Sequence, residues 1–196
     1  MKKRRLGVSL LALAATLAMA ASASATVMLE LSLEELVRDA DSIVHATVVH
    51  TGVRMALREN SIAPETLTTL RVHEWIAGAG GETVQIREIG GVWQGGGQRI
   101  DGTPTYRLGE EVVLFIERRE QAPNDLRTLA MVQGKFVVRH GVGAVPSTVR
   151  RDLDGVGFLR WAEGQQTVVA PHDDPVMQLD MFLDHVRRVR EEAGGR

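Results

Sequence analysis

Three stretches of this chain alternate apolar and polar residues with a period of two, and that pattern constrains its fold more than any other feature. Val44, Ala46 and Val48 alternate with His45 and Thr47, Leu70 and Val72 with Arg71 and His73, and Val84 and Ile86 carry the pattern through 82–89. Alternation of this kind marks half-buried strands, because successive side chains point to opposite faces of a sheet. The run from Val112 to Ile116 is apolar on both faces and is predicted to be the most buried strand. Turn signals separate these segments: Gly78, Gly80 and Gly81, a glycine-rich loop over 90–104 that carries Trp93, and Pro123-Asn124-Asp125. Residues 51–65 read as polar and irregular with a loop at their tip, and 127–132 with 135–139 as a hairpin around Gln133-Gly134. Short strands at this spacing predict a mainly β fold, a barrel or a sandwich.

Two helices are predicted at the ends. Ser32 and Glu35 have the spacing of a capping box, Leu31 and Leu36 that of a hydrophobic staple, and Leu33, Leu36, Val37 and Ala40 form an apolar stripe ending near 39–41. Near the C-terminus, Asp174 and Pro175 read as cap and first turn of an amphipathic helix over about 175–193, with Val176, Leu179, Leu183 and Val186 on its apolar face. That helix is expected to pack on the barrel. The segment 145–163 shows no firm period.

Lys2, Lys3, Arg4 and Arg5 precede an apolar run to Ala20 and then Ala21-Ser22-Ala23-Ser24-Ala25. A basic head, a short apolar stretch and an A-x-A pattern make a secretory signal peptide over 1–25, with cleavage predicted after Ala25. The expected mature chain is therefore secreted or periplasmic and not transmembrane. It is divided into a barrel domain over 26–145 and a C-terminal extension over 146–196. Loss of the four basic residues leaves 19 basic against 25 acidic, a net charge of −6, which argues against a nucleic-acid partner. Cysteine is absent, so disulfides, thiolate metal sites and a cysteine nucleophile are excluded.

No catalytic motif stands out. The six histidines (His45, His50, His73, His140, His172 and His185) lack H-E-x-x-H spacing and read as surface or rim residues. Asp152, Asp154 and Gly155 echo only the start of a calcium loop, and His172-Asp173-Asp174 reads as a helix cap. G-x-S-x-G is missing, and Gly134-Lys135 lacks the remainder of a phosphate loop. Neither a cofactor nor an intrinsically bound metal is expected, and the chain reads as a non-enzymatic protein. Trp93, a large ring in a glycine-rich loop, is a candidate contact at a binding rim.

The order of elements carries a resemblance. Ser32-Leu33-Glu34-Glu35-Leu36 leads through Ala40-Asp41 into Ile43–Val49; a strand ends in Trp75-Ile76-Ala77-Gly78; and Tyr106-Arg107-Leu108-Gly109 precedes the buried run. This order resembles a group of uncharacterised exported bacterial proteins, which in turn look like the netrin-like, OB-barrel domain of tissue inhibitors of metalloproteases. The resemblance covers roughly 26–140. It implies a closed or partly open OB-like barrel and a secreted protein-binding module of metalloprotease-inhibitor type, with a secreted zinc metalloprotease or another envelope protein as partner. In that family the first residue, a cysteine, chelates the protease zinc through its free amine and carbonyl. The resemblance therefore implies Thr26, Val27 and Met28 as contact residues, with threonine in place of the cysteine and without the family's disulfides. An envelope protein that binds carbohydrate or another oligomer on an open OB face is the alternative.

Overall fold

In the computed structural model, which describes residues 26–58, 61–119, 122–153, 156–162, 165–171 and 175–194, Ser32 caps helix α1 (Leu33–Asp39) as its sequence predicts. Glu35 N donates to Ser32 Oγ at 3.2 Å and Ser32 N donates to Glu35 Oε2 at 2.8 Å, so both halves of the capping box are made. The expected signal peptide, the Asp174 cap with His172 and Asp173, and Asp154-Gly155 lie outside the described residues.

Thirteen strands accompany the helix among the described residues. They are β1 (Thr26–Met28), β2 (Ser42–Arg58), β3 (Ser61–Ala77), β4 (Thr83–Ile89), β5 (Gly91–Trp93), β6 (Gly96–Gln98), β7 (Glu111–Arg119), β8 (Ala122–Thr128), β9 (Lys135–Arg139), β10 (Thr148–Arg151), β11 (Val156–Ala162), β12 (Gln165–Val169) and β13 (Met177–Gln178). A second helix, α2 (Leu179–Gly194), closes the order. The main sheet is antiparallel and runs β13-β10-β9-β7-β2-β3-β4, with β8 also on β7. A small sheet holds β1, β11 and β12, with β1 parallel to β11.

Strand β7 sits at the centre and sorts the core into two layers. Val113 and Phe115 face a layer made with Leu36, Val37, Phe136 and the α2 residues Phe182, Leu183 and Val186. Val112, Leu114 and Ile116 face the other layer, with Val44, Ala46, Leu70, Ile86 and Tyr106. Every residue from Val112 to Ile116 is fully buried, as the two-sided apolar run requires. Helix α2 packs on the sheet through Phe182, Leu183 and Val186, and it also serves α1: Arg190 Nη1 donates to the carbonyls of Val37 and Ala40 at 2.9 and 3.1 Å.

The sheet curls until β4 approaches β8. Among the described residues no ladder joins those two strands, so the curl is not a closed barrel. The bridge between them is a side chain: Glu88 Oε1 accepts from Thr128 N and Oγ1.

Several local expectations are corrected. Residues 51–58 and 61–65 are strand rather than irregular: β2 and β3 stay paired from Ile43 opposite Ala77 out to Arg58 opposite Ser61, and the expected loop at the tip, 59–60, lies outside the described residues. Asp125 lies within β8 rather than in a turn. The strands around Gln133-Gly134 do not form a hairpin, because each pairs with β7, β8 at Ile116–Arg119 and β9 at Val112–Leu114. Ala130 and Met131, with φ of 51° and 60°, redirect the chain into a 3-10 turn at Met131–Gly134 between them. The 90–104 loop contains the small hairpin β5–β6. Helix α2 starts at Leu179, not near 175, because Met177 and Gln178 pair with Val149 and Thr148 and Leu179 N donates to Ser147 O at 2.9 Å.

Candidate functional site

The long β2–β3 hairpin, β4, the end of β7 and β8 bring six charged side chains to one recess: Arg54, Glu65, Arg87, Arg119, Asp125 and Arg127. Alternation places Glu65 and Arg87 on the face of their strands opposite to the buried Thr68 and Ile86. The recess has a volume of about 530 Å³. Its remaining wall is aliphatic, from Met55, Ala56, Leu57 and Ala122.

Two buried carboxylates hold the guanidinium groups in place. Arg54 Nε donates to Glu65 Oε1 at 2.6 Å, and Arg87 Nε stands 3.5 Å from the same oxygen. Asp125 Oδ2 accepts from Arg127 Nη2 at 3.2 Å and from Arg119 Nη1 at 3.5 Å. Among the described lining residues four guanidinium groups thus face two carboxylates, an excess of two positive charges. The network is also incomplete: the buried Arg87 Nε, Arg127 Nε and Asp125 Oδ1 have no hydrogen-bond partner among the described residues.

Behind this recess, on the inner face, lies a second polar row. The Tyr106 hydroxyl and Thr128 Oγ1 are 2.5 Å apart, and Thr128 bonds Glu88. Burial pushes the Glu88 carboxyl up to about 7 against the pull of the Thr128 bonds. Burial, then the charge of Glu88, drives the Tyr106 phenol well above its ordinary value. Lys135 Nζ lies 4.7 Å from the Tyr106 ring centroid and donates to Glu110 Oε2 at 2.7 Å and to Thr105 O. Burial lowers the Lys135 pKa while Glu110 opposes that shift.

Three histidines read as separate rim residues come together near the other end of β2. Glu111 holds His45 Nε2 at 2.7 Å with one oxygen and His140 Nε2 at 3.0 Å with the other. His73 bonds Thr47 at 2.7 Å, its ring centroid 5.2 Å from that of His45. Among the described residues no group of three or more histidine or carboxylate side chains is arranged to hold a metal ion.

The residues singled out from the sequence lie elsewhere. Thr26 and Met28 are held in β1, with Thr26 opposite Val156 and Met28 opposite Phe158. Thr26 Oγ1 donates to Asp101 O at 2.6 Å, and Gly102, with φ +84°, lies so close that a Cβ there would stand 2.9 Å from Met28 Cε. Buried Gln133 fastens the next residues, accepting from Leu31 N at 2.8 Å and donating to Leu29 O at 2.9 Å. Val27 between the anchored residues is 46% exposed. Trp93, 42% exposed, stands on the β5–β6 hairpin, which is seated on β2–β3 where Thr66 Oγ1 donates to Gly90 O. The structure joins Thr26 to that hairpin through the Asp101-Gly102 segment; Trp93 is not among the residues that line the recess.

The arginine recess was not legible in the sequence because its members come from five strands at spacings set by sheet register. The available signal was charge inside segments of strand character, at Arg87-Glu88 and Asp125 to Arg127. No family model, curated protein or solved structure matches this chain. No described helix is long and apolar enough to cross a membrane.

Proposed function

We propose that this chain is an exported, non-enzymatic protein-binding module built on an OB-like, netrin-like β scaffold. The observation that carries this reading is the outer part of the β2–β3 hairpin. From Met55 to Arg58 and from Ser61 to Pro64 the two strands pair with each other and, among the described residues, with no third strand. Leu57 and Ile62 face each other across this arm and are 77% and 68% exposed. An apolar pair at the end of a projecting ribbon loses little by folding and gains when a partner covers it. A photo-crosslinking residue at Leu57 of the exported protein should give one discrete protein adduct, lost when Ile62→Glu is added. An adduct pattern identical to that from a crosslinker at exposed Val142, or unchanged by Ile62→Glu, would overturn the reading.

The inhibitor-like form of this function is supported by the anchoring of the N-terminal strand. Thr26 is positioned by the Asp101 bond and the β11 ladder without any disulfide, the preorganisation that chelation by a terminal amine requires. A neutral α-amine can fill the open position of a catalytic zinc. Acetylating the Thr26 amine of the processed chain, or adding one alanine before it, should abolish inhibition of a secreted zinc metalloprotease. If the unmodified protein inhibits none of a panel at micromolar concentration, this form of the function is dropped and the arm-based one stands. The carbohydrate-binding alternative draws on an aromatic-lined groove, and the described lining of the recess contains no aromatic side chain.

A further inference from the structure

We infer that the recess between the arm and β8 binds a phosphomonoester carried on an aliphatic body. Three features of the recess converge on that chemistry, and none of them depends on the protein-binding role of the arm.

The first is charge. Among the described lining residues, four guanidinium groups, of Arg54, Arg87, Arg119 and Arg127, converge on a space with two carboxylates, those of Glu65 and Asp125. Crowding like charges around a cavity is unfavourable unless an anion completes the set. A phosphomonoester carries close to two negative charges at neutral pH, which matches the excess; a single carboxylate matches half of it.

The second is unmet hydrogen bonding. Arg87 Nε lies 3.5 Å from Glu65 Oε1 and 3.7 Å from Asp125 Oδ1, yet it hydrogen-bonds neither, and Arg127 Nε is also buried without a partner among the described residues. Buried N–H groups of this kind are costly to leave unmade. Guanidinium groups present several donors in a planar fork suited to phosphoryl oxygens. The carboxylates act as struts: Glu65 steers Arg54, and Asp125 steers Arg119 and Arg127, so the donors are oriented before a ligand arrives.

The third is shape and the remaining wall. A volume of about 530 Å³ falls within the range of small-molecule sites and leaves room beyond a phosphoryl group. That room is bounded by Met55, Ala56, Leu57 and Ala122, which suit an aliphatic body and offer no ring for a nucleobase to stack on.

The same head group occurs on a soluble polyol phosphate and on a membrane lipid, and the test separates them. Calorimetry with glycerol 3-phosphate and flotation with vesicles of phosphatidylcholine containing phosphatidic acid would be run on the exported protein. Binding in either arm supports the site, soluble only or vesicle only telling which source it serves. Arg87→Gln and Arg119→Gln should each weaken binding at least tenfold. Arg119 is half exposed and its replacement leaves the buried carboxylates in place, so this variant reads the site even if Arg87→Gln fails to fold. Arg99→Gln, at a highly exposed arginine outside the recess, should leave affinity unchanged. Binding should weaken as pH falls through about 6, where the phosphomonoester takes up its second proton. No binding in either arm, or binding equally reduced by Arg99→Gln, means that the arginines form only an internal ion-pair network and overturns the inference.

Discussion

Glu88 Oε1 accepts two hydrogen bonds from Thr128, from the backbone N–H at 3.0 Å and the hydroxyl at 2.6 Å, and so ties β4 to β8 where no ladder does. One carboxylate at the seam of the curled sheet thereby does the work that backbone pairing does in a closed barrel.

This seam makes stability depend on pH. Burial raises the folded pKa of Glu88 from 4.5 to about 7, so between these values the folded protein holds a proton that the unfolded chain releases. The associated stability is fully present below about pH 4.5 and is lost as pH rises through 7, an effect on the order of 3 kcal/mol. Thermal melts should show this step for the wild type. Glu88→Gln, which keeps an acceptor for Thr128 but cannot ionise, should remove the step and melt higher than wild type at pH 8. An unchanged pH profile in the variant would assign the step to another group.

Lys135 is predicted to be structural. Its ammonium is satisfied by Glu110 Oε2 and Thr105 O in a buried setting. Lys135→Met strands the Glu110 carboxylate and should cost about 3–5 kcal/mol, the usual effect of breaking a buried pair. Adding Glu110→Gln should restore part of that loss, and denaturant titrations of both singles and the double variant measure the coupling.

The inner core layer depends on Leu114, fully buried beside Val44 and Ile86. Leu114→Ala should destabilise by about 2–5 kcal/mol, as large-to-small changes at well-packed sites do. Urea unfolding checks this, with a reduced midpoint and an unchanged slope expected.

Gln133 should govern the order of the N-terminal segment. Its side chain occupies Leu31 N and Leu29 O, and Gln133→Ala leaves both without that partner at a cost of about 1–3 kcal/mol. Amide exchange at Leu31 should accelerate well beyond that at Val113 in the buried β7. Equal acceleration at both sites would indicate global destabilisation rather than release of the segment.

What could be read directly were features whose physics is local. The Ser32–Glu35 box marks the start of α1 because capping is decided within four residues. The alternation at 44–48 and 84–86 marks strands because period two is a property of one strand, and the two-sided run at 112–116 marks the central one. The strand character of 55–58 and 61–64 escaped notice because an arm with little sheet on either side has no buried face to impose alternation. The 146–196 segment, read as an extension, places β10 and β13 in the main sheet and β11 beside β1, pairings that depend on chain separated by up to 130 residues in sequence. The local pattern of this chain determined its β character, its central strand and its first cap, since each is set by neighbours along the backbone. Tertiary structure alone decided that Arg54, Glu65, Arg87, Asp125 and Arg127 share one recess, that Glu88 meets Thr128, and that His45 and His140 share Glu111. Those encounters depend on register and on how far the sheet curls, and no spacing along the chain encodes either.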